Sequence, residues 1–310
     1  MGRRIVRELA DSGHDVIVVH RGLTEPVPET STPHIHGPRA EFQALWPQIR
    51  ELAPEGLIDV TAYSRDDAQH VLRVVSQPIR LLALSSMDVY RASGALRGEP
   101  GQDPVPLDET APLRESRYIY RGAANPLDDY EKLEVEDEYL RRGAVILRLP
   151  MIYGEHDDSR REEFILRRCR AGRRRIPIGP GSLLWSRGYV GDIARAVRSA
   201  LEAGPDGEIF NICETRTWTI AQWARQIASA AGWQGEFVRV PEAALPEDLR
   251  ITSGFEQHLL FDPSKARREL GWVETEPATA LQISVKWHLA HPPEVAMDFA
   301  ADDGALDQVS

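Results

Sequence analysis

Apolar positions along the first half of the chain switch between a helical and an extended period. Ile5, Val6, Leu9 and Ala10 recur at helical spacing, and Gly13 suits a helix C-cap. A continuous apolar strand, DVIVVH (15–20), follows, as in a parallel sheet covered on both faces. The alternation continues with a helix near 40–53, a strand GLIDVTAY (56–63), a helix over 65–75 and a strand IRLLALSS (79–86). A Pro- and Gly-rich connection over about 91–125 precedes a helix at PLDDYEKLEVEDEYLRRG (126–143) and a strand AVILRLPMIYG (144–154). This order predicts an α/β fold with a doubly wound parallel sheet.

Beyond Gly154 the pattern loosens. An Arg-rich helix, a short strand RGYV (187–190), a helix over 192–204, a strand EIFNIC (208–213) and a helix over 219–232 follow. We expect one domain over 1–154, with 188–213 returning to it. A smaller α/β domain then takes 155–187 and 214–292, and the acidic stretch 293–310 forms a frayed tail.

Composition narrows the function. Lys and Arg number 37 against 48 Asp and Glu, a formal net charge of −11, which argues against a nucleic-acid or membrane partner. Two cysteines, Cys169 and Cys213, cannot build a disulfide framework. With no apolar run near the ~20 residues of a membrane span and no signal-peptide core, a cytoplasmic location and a small-molecule substrate are expected.

Five landmarks stand in one order: SSMDVY (85–90), DDYEKLEVE (128–136), LRLPMIYG (147–154), RGYVGDIARAV (187–197) and DPSKARRELGW (262–272). Together the chain resembles the extended short-chain dehydrogenase/reductases of the NAD-dependent epimerase/dehydratase type, over nearly its whole length. The resemblance implies a Rossmann-like domain that binds NAD(P), a smaller C-terminal substrate domain and, through two paired helices, a homodimer. Members open with a strand and a glycine-rich turn that brings backbone N–H groups to the cofactor pyrophosphate. Met1-Gly2 matches only the end of that turn. A start at an internal Met is the expected explanation, and a protein that has lost dinucleotide binding is the other. In the strand order 3-2-1-4-5-6, absence of the first strand leaves a slot between two apolar strands.

The family's chemistry rests on a Ser, a Tyr and a Lys. Ser86 matches the Ser that orients the substrate oxygen, and Lys132 the Lys, with Glu136 one helical turn later. A phenol with an ordinary pKa near ~10 becomes a base only when neighbouring positive charge lowers it. The family places its Tyr four residues before the Lys, where this chain has Asp128. Tyr130, two before the Lys, lies about 200° round an ideal helix. Three readings stay open: the helix starts late and Tyr130 swings inward; Asp128, Tyr118 or Tyr120 substitutes; or the redox step is lost. Tyr130 ranks first. Asp88 sits where dehydratases of this family carry the second of two acidic residues, and Met87 takes the first, so Asp88 is either a catalytic acid or a turn cap.

By the same resemblance Gly2, His20, Arg21, Ala62, Tyr63, Ser85, Lys132 and Pro150 line the cofactor site. The strand end His20-Arg21 carries no acidic residue for a ribose 2′-hydroxyl, which favours NADP over NAD. Arg187 and Met151 flank the substrate region. The eight arginines between 160 and 175 form either a diphosphate clamp for a sugar nucleotide or a solvated helix face. Met151 stands where nucleotide-sugar epimerases usually have Asn, so the sugar stays unassigned. His34 and His36, at i and i+2, share a strand face; without a third ligand nearby in sequence no metal site is expected. The function expected is an epimerase/dehydratase-like oxidoreductase that transfers hydride at a carbinol carbon. A non-catalytic NAD(P)-binding regulator or scaffold, or a fragment with impaired cofactor binding, is the alternative.

Overall fold

The structure, a computed structural model, describes all residues except 24–31, 77, 102, 124–126, 253–254, 295–296 and 310, so parts of the expected 91–125 connection and of the expected tail lie outside the described residues. The first half runs α1 (Gly2–Asp11), β1 (Val18–His20), β2 (His34–His36), α2 (Phe42–Glu51), β3 (Gly56–Asp59), α3 (Arg65–Leu72), β4 (Arg80–Ser86), α4 (Lys132–Leu140), β5 (Val145–Leu149) and β6 (Met151–Tyr153). The second half runs α5 (Glu163–Arg170), β7 (Arg175–Ile178), β8 (Arg187–Tyr189), α6 (Val190–Ala203), β9 (Ile209–Asn211), α7 (Ile220–Ala230), β10 (Glu236–Arg239), α8 (Ser264–Glu269), α9 (Pro277–Ala290) and α10 (Ala300–Asp307). No helix among the described residues is long and apolar enough to cross a membrane.

The central sheet is parallel, in the order β3-β4-β5-β9. Successive residues of β4 point to opposite faces, so one strand feeds two cores. Leu82 and Leu84 pack with Ile5, Leu9, Ile193 and Val197 of α1 and α6. Leu81 and Ala83 pack with Ala68, Val71, Val135 and Tyr139 of α3 and α4. This is the doubly wound arrangement expected of strands apolar on both faces. Helix α3 begins where Ser64 and Asp67 form a reciprocal capping box.

The sheet divides where a slot was expected. β1 pairs in parallel with β2, and among the described residues neither is hydrogen-bonded to the central sheet, which ends at β3. The ladder of β1 is accordingly three residues long, and Val16 and Ile17 of the expected strand lie outside it.

Two further expectations are corrected. The run 144–154 is not one strand. Proline has no N–H to give a ladder, and Pro150 separates β5, paired with β4 and β9, from β6, paired with β8. The acidic C-terminus does not fray. Residues Ala300–Asp307 form α10, and Ala305 and Leu306 are buried. Arg168 donates to both carboxylate oxygens of buried Asp302 at 2.6 Å and also holds Asp248. Arg167 pairs with Asp248, Arg173 with Asp303 and Arg170 with Glu163, so much of the arginine cluster fastens neighbouring segments. Cys169 and Cys213 are both free thiols.

Candidate active site

The carboxyl ends of β3 and β4 and the start of α4 converge on one set of polar side chains. Helix α4 begins only at Lys132, with Glu131 as its N-cap accepting from the Leu133 N–H. Tyr130 therefore precedes the helix, and helical spacing does not govern where its ring points. The ring turns inward and is buried, and its hydroxyl donates to Asp88 Oδ2 at 2.7 Å. The Tyr120 hydroxyl reaches the same oxygen at 3.4 Å, and the two tyrosine rings meet edge to face, 5.1 Å between centroids. Asp128 is exposed and caps the Gly122 N–H, while the Tyr118 hydroxyl meets Glu134. Of the four candidates raised by the sequence, only Tyr130 and Tyr120 stand beside Asp88.

A buried ion pair fixes this late helix start. Arg114 donates to both oxygens of Glu131, at 2.5 and 2.9 Å, and Glu131 also accepts from the Tyr118 N–H. Against burial, the Arg114 guanidinium holds the Glu131 carboxyl below the usual carboxylate range. Arg114 lies in the long connection, where no periodic signal points to it; Glu131 was legible only as a neighbour of Lys132.

Lys132 is buried, and its ammonium donates to the main-chain carbonyls of Ala62 (2.6 Å) and Leu84 (2.9 Å). Nζ lies 5.0 Å from the centroid of the Tyr63 ring and 6.0 Å from that of Tyr130. Burial lowers its pKa to about 8, against the pull of the Asp59, Asp88 and Glu136 carboxylates. Burial raises Asp88, opposed by the hydrogen bond from Tyr130 and the positive charges of Arg114 and Lys132. Tyr130 is pushed well above a normal phenol, first by burial and then by the adjacent Asp88 charge. A free Tyr130 phenolate is thus disfavoured, the reverse of what a simple Tyr–Lys base requires.

Ser86 ends β4 and accepts from the Asp88 N–H at 3.2 Å, so its own proton can serve another acceptor. Its neighbour Ser85 turns to the other side and donates to Glu136 at 2.5 Å. Glu136 is clamped by Arg148 through bonds of 3.0 and 2.8 Å, all three groups being buried. Ser85 therefore braces β4 against α4.

The other expected site residues scatter. Gly2 is the first residue of α1, and a Cβ there would meet nothing within 4 Å. His20 ends β1 of the separate two-stranded sheet, and exposed Arg21 follows just beyond it. Pro150 is half-buried between β5 and β6. Met151 is packed in the core among Tyr153, Ile178 and Tyr189, which leaves it no open face for a substrate. Arg187 is wholly buried, lies over the Trp223 ring and donates to Thr217 Oγ1 and the Trp218 carbonyl. Burial lowers its pKa to about 10. It is closed off from solvent rather than poised at an open clamp.

For a nicotinamide cofactor the fit can be judged from polar atoms left over. Asp88 Oδ1 is buried with no partner, and Lys132, with two of its three donors used, keeps one. The first turn of α1 carries no side-chain cap, but the Met1 amino group beside it is largely buried and faces the carboxylates of Asp157 and Asp158, so this helix start offers no open place for an anion. The leftover atoms of Asp88 and Lys132 fit the reactive end of such a cofactor.

A doubly wound parallel sheet with Ser, Asp, Tyr and Lys gathered at its carboxyl edge defines a dinucleotide-fold protein of the short-chain dehydrogenase/reductase type. The chain belongs to the NAD dependent epimerase/dehydratase family, whose sequence profile matches residues 1–213. No curated protein matches it in sequence. Among solved structures it is similar to dTDP-glucose 4,6-dehydratase from Bacillus anthracis, solved in complex with NAD (17% identity, 94% of this chain and 93% of that one, TM-score 0.70). It is also similar to UDP-glucose 4-epimerase from Thermotoga maritima, solved with UDP-glucose (20% identity, 93% and 95% covered, TM-score 0.66). UDP-N-acetylglucosamine 4-epimerase from Bacillus cereus gives 17% identity, 94% and 95% covered, and a TM-score of 0.67. At these identities the likeness speaks for the fold.

Proposed function

We propose that the chain is a nicotinamide-dependent oxidoreductase that removes hydride from a carbinol carbon of a small hydroxylated substrate. The observation that carries this reading is the contact between the Tyr130 hydroxyl and Asp88 Oδ2, 2.7 Å, beside the buried ammonium of Lys132. When bound, a nicotinamide ring supplies the hydride acceptor. The protein's own share is the proton. As a substrate hydroxyl gives its proton to the Tyr130 oxygen, the phenol passes its original proton to Asp88, so no free phenolate forms. A carboxyl raised by burial is the better acceptor for that proton. Ser86 donates to the substrate oxygen, and Lys132 holds a cofactor hydroxyl with its remaining N–H while its charge lowers the cost of negative charge nearby. Arg114 and Glu131 act through Tyr130 as positioning residues.

Return of the proton by the same route would complete either epimerisation or reduction. Sugar substrates are the class suggested by the named relatives, and NADP is favoured over NAD by Arg21 and the lack of an acidic residue at the end of β1. Pairing of two chains into a homodimer and a cytoplasmic location belong to the same reading.

The pH profile tests the role of Lys132. Its depressed pKa means that the ammonium is present below about 8 and lost above it. Cofactor affinity is expected to fall as pH rises through about 8, and the Lys132→Met variant is expected to bind weakly with no such limb. A wild-type profile flat across that window would contradict the role. The same shift acts on stability with the opposite sign. Between about 8 and the ordinary lysine value of 10.5 the unfolded chain holds more protons at this lysine than the folded one, so its contribution to stability rises with pH there.

A further inference from the structure

We propose that His20, His34 and His36 form a binding site for a divalent transition-metal ion of the zinc and nickel class. In sequence, His34 and His36 are an isolated pair. The parallel ladder of β1 and β2 supplies the third member, because His20 stands directly across from His36 and Val18 across from His34. Residues two apart on a strand share a face, so all three imidazoles project from the same side of this small sheet. The nearest pair, His20 Nε2 and His34 Nδ1, are 2.8 Å apart. Ring centroids lie 4.9 Å (His20–His34), 4.7 Å (His20–His36) and 6.2 Å (His34–His36) apart. One nitrogen from each ring can be chosen so that all three lie within 4.8 Å of one another.

Metal bonds of about 2.0–2.1 Å to tetrahedral nitrogens place those nitrogens roughly 3.3 Å apart. One nitrogen pair stands at 2.8 Å and all three fall within 4.8 Å, so side-chain rotations can bring the set to that separation. The three rings meet edge to face and do not stack. His20 and His34 are half-buried and His36 is exposed, so two ligands are held by the sheet while the third leaves an entry path. Imidazole suits zinc, nickel and copper rather than magnesium or calcium. Three ligands leave one tetrahedral position for water or an anion. The site is built on β1 and β2, in a different sheet from β4 and its Ser86, so metal binding can be read without the redox step, although His20 adjoins the Arg21 to which the proposed function gives a part in cofactor choice.

The test is calorimetric titration of the untagged chain with Zn²⁺ or Ni²⁺ alone. One ion per chain is expected, with affinity at least tenfold weaker in His34→Ala and in His36→Ala and unchanged in His70→Ala, which lies on α3. Because His36 is exposed, its variant is expected to keep the parent circular dichroism and melting point. As a second readout, Co²⁺ added to the wild-type chain should give the visible absorption of a tetrahedral nitrogen site, lost in His36→Ala. Failure of the wild-type chain to bind an ion one to one, or equal affinity in the His34 and His36 variants, would overturn the proposal.

Discussion

Tyr130→Phe is expected to slow carbinol oxidation by about 10²–10⁴-fold, the range for loss of a general acid or base. The fold should survive, because the ring contacts with Tyr63 and Tyr120 do not involve the hydroxyl. Tyr120→Phe should cost far less, since its oxygen sits 3.4 Å from Asp88 against 2.7 Å for Tyr130. The two variants are compared by the rate of cofactor reduction with a panel of hydroxylated substrates, sugar nucleotides among them. Equal losses in both would assign the proton step to the carboxylate alone. A loss in Tyr120→Phe only would move the role to that residue.

The second large effect falls on stability. Arg148→Met leaves Glu136 buried without its guanidinium, and an uncompensated buried charge costs about 3–5 kcal/mol. Among the described residues Ser85 remains as a donor to that carboxylate. The loss, read from urea unfolding, should shrink to a small residual when Glu136→Gln is added, because a neutral amide tolerates the site better. A double variant as unstable as the single one would mean that Arg148 contributes by packing, against Tyr90 for example, whose ring lies 4.8 Å from its guanidinium.

Much of the architecture could be read from apolar periodicity because the central strands are covered on both faces. Leu81 to Leu84 are apolar without interruption, and the structure uses both sides of them. The division at Pro150 was less visible, since the residues on both sides are equally apolar and only the missing N–H separates two ladders. The docking of the C-terminus was hidden for another reason. Asp302 and Asp303 look like solvated charge until Arg168 and Arg173, some 130 positions earlier, are brought beside them.

The site was legible in its parts and not in its geometry. Ser86, Asp88 and Lys132 stood at recognisable positions, but the place of Tyr130 depended on where α4 begins. That boundary is set by the Arg114–Glu131 pair, a long-range contact that leaves no periodic trace. His20 likewise became a partner of His34 and His36 only through strand register. Arg187 and Met151 went the other way. Their motif suggested the edge of a pocket, whereas the packing of α7 and the strands around them closes both into the core.

In the proposed function the buried ammonium at the start of α4 serves a nicotinamide cofactor beside the Asp88–Tyr130 contact. Calorimetric titration of NADPH and of NADH into the wild-type chain and into Lys132→Met, at pH 7 where the ammonium is charged, tests it most directly. One cofactor per chain is expected, with NADPH the tighter, and an affinity at least tenfold weaker in a variant that keeps the parent circular dichroism. Absence of binding by the wild-type chain, or equal affinity in the two proteins, would contradict it.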